Sequence, residues 1–175
     1  LSPAIWPKLQ AQPNANPPVP PHPGGWLPNW IEPGTFNVKL RRTLPPRDPV
    51  NESRADYRAR LAAQPFIDAR LVAALVPKPI PVTGWGLGAP DLEEADRDGR
   101  KPGARPTHLA VPAGAVYYFS CNSPDAAHDL AVALNWHGDS PGTIIRNRRS
   151  TLFGEKGFGL GVCGTWSPYP TTPTT

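Results

Sequence analysis

The chain has 175 residues, of which 26 are Pro and 16 Gly, with 39% hydrophobic residues, six Trp, a formal charge of +4 and a pI of about 9.3. That mixture excludes a wholly disordered chain, which needs low hydrophobicity, and reads as one folded core, or one and a half small ones, threaded with long irregular segments. Cys121 and Cys163 alone exclude a disulfide framework and are expected as buried thiols, and no apolar run approaches the ~20 residues of a membrane-spanning helix.

Residues 1–33 carry ten prolines, including Pro17, Pro18, Pro20 and Pro21. Proline lacks an amide donor and fixes φ, so no helix or central strand forms there. Residues 1–34 are expected to be an extended surface segment or linker, anchored by Trp26 and Trp30. In 35–42, Phe36, Val38 and Leu40 alternate with polar residues, which predicts a half-buried strand with Lys39 and Arg41 on the other face and Arg42 at its end. Residues 52–63 predict a helix capped by Asn51 and stopped by Pro65. Residues 66–76 read as a buried strand or strand pair. Pro77, Pro79 and Pro81 then break regular structure, Gly84-Trp85-Gly86 reads as a tight loop, and 91–106 as an exposed loop.

Residues 115–120 predict a strong strand. Ser123-Pro124-Asp125 has the signature of a helix start, with an N-cap, Pro at the first position and an acid in the first turn. Ala126, Ala127, Leu130, Ala131 and Leu134 form one apolar stripe, and Gly138 is expected to close the helix in the left-handed region. Thr143 to Ile145 begins an extended piece, 157–166 reads as a glycine-punctuated strand ending at Trp166, and a frayed tail follows from Pro168. The order strand, helix, strand fits half of a split βαβ unit.

Residues 159–164 match G-x-G-x-x-G formally. A dinucleotide site needs a helix directly afterwards and an acid about 20 residues on; the remaining residues include three prolines and no acid. The glycines instead allow close backbone approach. Arg146, Arg148, Arg149 and Lys156 surround them, and cations beside exposed amides suit phosphates, with Phe158 able to stack on a base or fill the core. A solvated basic hairpin rim explains the same residues equally well. No His stands at metal-ligand spacing with Cys or an acid, so no metal, cofactor or catalytic group is expected.

Gly84-Trp85, then Val111-Pro112-Ala113-Gly114-Ala115-Val116-Tyr117-Tyr118-Phe119, and finally the run Ser150 to Leu160 with its Gly157-Phe158-Gly159 resemble the third subunit of the Cmr (type III-B) CRISPR effector module, a member of the RAMP superfamily. The resemblance covers residues 80–166. It implies an α+β fold of ferredoxin-like (RAMP/RRM-like) βαβ modules with long Pro/Gly-rich insertions. Residues 35–106 would be a partial first module, 107–167 the C-terminal module with the glycine-rich loop, and 168–175 a tail. It implies a non-catalytic subunit in antiviral defence, holding the 5′ repeat-derived tag of the crRNA and contacting the large polymerase-like subunit and RAMP backbone subunits. The loop Gly154 to Gly161 takes the place of the family's glycine-rich loop, while Arg146, Arg148 and Arg149 follow from their chemistry and not from the family; with Gly157, Phe158, Gly159, Lys156, Arg41 and Arg42 they are the expected RNA contacts. Two other readings stand beside it: a crRNA-processing endoribonuclease with His137 as general base, and a structural adaptor using the Pro-rich segment and exposed Trp. Full family members are longer and the chain has no Met, so Leu1 is not expected to be a native start. No signal peptide is visible, and a soluble cytoplasmic protein is expected.

Overall fold

The computed structural model describes residues 1–15, 18–42, 47–48, 50–86, 103–139 and 144–166. Pro17 of the proline run, most of the loop expected at 91–106, Thr143, and the tail from Pro168 lie outside the described residues. Among the described residues the architecture is mixed α/β: two helices, α1 (Arg54–Ala63) and α2 (Pro124–Leu134), and six short strands, β1 (Ala69–Leu75), β2 (Ile80–Val82), β3 (Trp85–Gly86), β4 (Gly103–Ala104), β5 (His108–Ala110) and β6 (Val116–Cys121). The strands pair antiparallel as β1 with β6, β2 with β5, and β3 with β4. This is compatible with an α+β fold. After α2 no third strand joins β1 and β6 among the described residues; the returning chain makes one parallel bridge, Asn135 to Gly161.

The β1/β6 pair organises the main core. Arg70 opposes Ser120 and Leu71 opposes Phe119; a bulge at Val72 then shifts the register so that Ala73 opposes Tyr118. Ala69 and Leu71 point inward with Phe119 and Cys121, and α2 covers them with Ala126, Leu130 and Ala133. Ser123 caps α2 through its hydroxyl, which accepts from the Ala126 amide, with Pro124 at the first helical position, as the sequence predicts. Ala127 is exposed, and the fully buried Ala133 takes its place in the stripe. The helix stops at Leu134 with an extended Asn135, so Gly138 (φ 69°) closes the following turn and not the helix.

Several expected elements differ. The strand at 35–42 keeps its alternation, with Val38 buried and Phe36 and Leu40 partly so. It is nevertheless held by isolated bridges, Asn37 to Arg70, Arg41 to Phe66 and Val38 to Ile31, rather than by a continuous ladder, and Phe36 (φ 61°) turns the chain at its start. Ser53, not Asn51, caps α1, since Asp48 already binds the Asn51 amide and side chain. Only the first half of β1 is buried; Val72 and Leu75 are exposed. Pro81 sits inside β2, where a two-stranded ribbon tolerates the missing donor. Gly84-Trp85-Gly86 and Gly103-Ala104, expected as loops, contribute β3 and β4. The expected strand at 157–166 is a short 3-10 turn (Gly154–Lys156) followed by irregular chain, because its glycines turn or seat against other backbone. Cys121 is half-buried, whereas the Cys163 residue is exposed, not buried as expected.

The Pro-rich segment is not a surface linker. Ile5, Trp6, Leu27 and Ile31 are buried, and His22 lies in the core with them. Leu9 bridges His22 and Gln12 bridges Val19, so the segment doubles back on itself. The His22 Nδ1 accepts from the Gly24 amide, and its Nε2–H donates to the Ile31 carbonyl at 2.8 Å. Gly24 (φ 64°) can be no other residue without a shift: a Cβ there would stand 2.3 Å from the Trp6 carbonyl oxygen. Trp26, expected as an anchor, is half exposed, whereas Trp30 stacks on Phe119.

Candidate nucleic-acid interface

The glycine-rich run is a cradle for the chain's first residues. The Gly159 amide donates to the Pro3 carbonyl at 2.7 Å, the Leu160 amide to the Ser2 hydroxyl, and the Ser2 amide to the Leu160 carbonyl. Ser150 Oγ accepts from the Ile5 amide, and the Trp6 indole donates to the Arg149 carbonyl at 2.6 Å. The amides of Lys156, Gly157 and Phe158 turn inward to Phe153 and Gly154 carbonyls. The expectation that loop amides from 156 to 160 point at phosphate oxygens is therefore corrected: all five are satisfied within the protein.

The predicted cations separate into three settings. Arg149 is withdrawn from any surface role: its Nε donates to the Ala133 carbonyl at 2.8 Å, closing the C-terminal end of α2, and burial pulls its guanidinium below the ordinary arginine value. Arg42 pairs with Asp129 of α2 at 2.9 Å, on the same covered side of the sheet. Arg146, Arg148 and Lys156 remain exposed and make no ion pair among the described residues. The Arg148 stem lies against Gly154, Lys156 Nζ stands 5.0 Å over the Phe153 ring, and the Arg146 stem lies against Gly138. Phe158 packs edge-on to Phe153 at 5.7 Å, so it fills a small aromatic cluster with His108.

Arg41 faces the opposite side. Its guanidinium sits 4.4 Å from the centre of the Phe66 ring, shared by Lys39 at 5.0 Å, and it donates to the Gln64 carbonyl. Lys39 also pairs with Glu32 at 3.0 Å. Phe66 is 46% exposed. Sequence reasoning put Arg41 on an outward face but missed its aromatic partner, which the same alternation through 66–71 marks as outward. Further along, Tyr118 and Trp166 hold their rings 4.8 Å apart and tilted by 54°.

His137, the base in the alternative endoribonuclease reading, has a buried Nδ1 without a hydrogen-bond partner among the described residues and packs edge-on to Trp136. Among the described residues no group of His, Cys, Asp and Glu could hold a metal ion, and no helix is long and apolar enough to cross a membrane.

Residues 33–166 match the family model of the CRISPR-associated protein (Cas_Cmr3). The chain belongs to the Cas_Cmr3 family. It is thus a CRISPR-associated subunit of the Cmr, type III-B, module, whose place is an effector complex with other Cmr subunits. The Cas_Cmr3 match spans both helices, all six strands and the glycine-rich turn. Residues 1–32 lie outside it, yet they supply Ile5, Trp6, Leu27 and Ile31 to the core. No curated protein and no solved structure matches the chain significantly.

Proposed function

We propose that the chain is a non-catalytic, guide-RNA-binding subunit of the cytoplasmic type III-B effector complex in antiviral defence, holding the 5′ repeat-derived tag of the crRNA and bridging to the large polymerase-like subunit. Its ferredoxin-like module is completed within that assembly. The observation that carries this reading is the exposed set of Lys156 on the glycine-rich turn, Arg148 with its stem against Gly154 of that turn, and Arg146 two residues before Arg148, in a Cas_Cmr3 chain. Because the turn's amides are already bonded, phosphates are held by side-chain charge. The bridging role is supported by an open apolar groove of about 330 Å³ lined by Trp26, Val76, Pro77, Pro79 and Leu109.

Salt-dependent binding of an RNA carrying the repeat-derived tag tests the proposal. The Arg146→Ala/Arg148→Ala variant should bind more weakly, with a log–log salt slope lower by about 0.7 for each lost phosphate contact. Arg149→Ala should instead lower the melting temperature. The RNA should be recovered uncut; cleavage that His137→Ala abolishes would replace the scaffold by the endoribonuclease. An unchanged slope would remove the turn from the RNA site.

A further inference from the structure

The β1/β6 pair has two faces, and α2 covers one of them. The bridges Asn37–Arg70 and Arg41–Phe66 share one register, so the segment 37–41 lies beside β1 as a third extended row. Along that row Asn37, Lys39 and Arg41 are exposed while Val38 is buried; along its neighbour Phe66, Asp68 and Arg70 are exposed while Ile67, Ala69 and Leu71 are buried. On β6, Phe119 joins the core, so Tyr118 and Ser120 belong to the face opposite α2. The Trp166 ring lies on Tyr118 from outside and is 66% exposed. One face therefore carries Phe66 with Arg41 and Lys39 at one end and Tyr118 with Trp166 at the other. Arg70 lies between them, and the two aromatic positions are about 20 Å apart along the strands.

Aromatic rings interleaved with cations on an open sheet are what single-stranded nucleic acid needs. Bases stack on the rings whatever their identity, and arginines meet the phosphates between. Of the charges here, Glu32 engages Lys39 and Asn122 engages Asp68, which leaves Arg41 and Arg70 without ion pairs among the described residues. We infer that this sheet face is a base-stacking platform for single-stranded RNA, distinct from the basic turn at 146–156. It rests on the proposal that the chain binds RNA, and adds a second place where it does so.

The test measures binding of an unstructured oligouridine of about 12 nucleotides to the purified chain by fluorescence anisotropy, with intrinsic tryptophan quenching as a second reading. Trp166→Ala touches no core residue. It should weaken binding roughly 5- to 100-fold, leave the salt slope unchanged and remove most of the quenching, and Trp166→Phe should restore binding. Arg41→Ala and Arg70→Ala should each lower the slope by about 0.7. Wild-type affinity in Trp166→Ala, alongside weakened binding in Arg146→Ala/Arg148→Ala, would sink the platform and leave the parent proposal standing. Absence of binding by the wild-type chain would overturn both. Unchanged RNA binding with lost assembly onto other Cmr subunits would make the face a protein interface instead.

Discussion

Single residues show where charge and composition stop being informative. Arg146, Arg148 and Arg149 are equivalent by sequence, yet Arg149 is spent on a carbonyl at the end of α2 while the other two face solvent. Nothing local to 146–149 reveals that the last turn of α2 will leave the Ala133 carbonyl beside them. His22 is similar: a histidine among prolines reads as exposed, and its burial follows from contacts with Ile31, Gly24 and Asn29. Gly159 is the residue whose role the sequence marks most clearly, although for the wrong partner. Its φ of 80° and the 2.1 Å that would separate an added Cβ from the Ser150 nitrogen leave no room for a side chain. Gly159→Ala should cost at least about 3 kcal/mol in urea unfolding, since both the strained φ and the displaced backbone count against it.

At the level of elements, the signals written into the chain itself were legible. Ser123-Pro124-Asp125 starts α2, the aromatic run gives β6, and Pro65 stops α1. Pairing partners were not legible, because register depends on segments distant in sequence, such as Ala69 against Cys121. Hence β1 was visible as a strand, but its exposed outer half was not. The start of α1 slipped by two residues because Asp48 and Ser53 compete for neighbouring amides. That helix has an acid-sensitive anchor. Arg60 donates from Nε and Nη2 to the two Glu52 oxygens at 2.8 and 2.9 Å and, chiefly through these bonds, holds the Glu52 carboxyl below the usual glutamate range. The folded chain thus takes up that proton less readily than the unfolded one. Its contribution is present above the ordinary glutamate pKa and fades as pH falls through the lower folded value. Melting temperatures followed from pH 7 downward should therefore fall less steeply in Glu52→Gln than in wild type.

For the molecule as a whole, the sequence supplied the α+β class and the family. It misplaced residues 1–34, because proline content reports what a segment cannot form and not where it lies. Prolines, Trp6 and Ile5 fit the core without any regular element, through bonds to residues 149–160 and an edge-on contact of Trp6 with Tyr117 at 6.0 Å. Trp6→Ala should then destabilise the chain by about 3–5 kcal/mol. The linker expected from composition would have left unfolding within about 0.5 kcal/mol of wild type.

The seating of residues 2–6 in the glycine-rich cradle also fixes when the fold can be completed. Ile5 meets Ser150 and Ser2 meets Leu160 across 145 and 158 residues of chain. At ordinary elongation rates their partners leave the ribosome roughly ten to thirty seconds later. Throughout that interval the Ile5 amide and the Trp6 indole N–H lack their partners at Ser150 and Arg149.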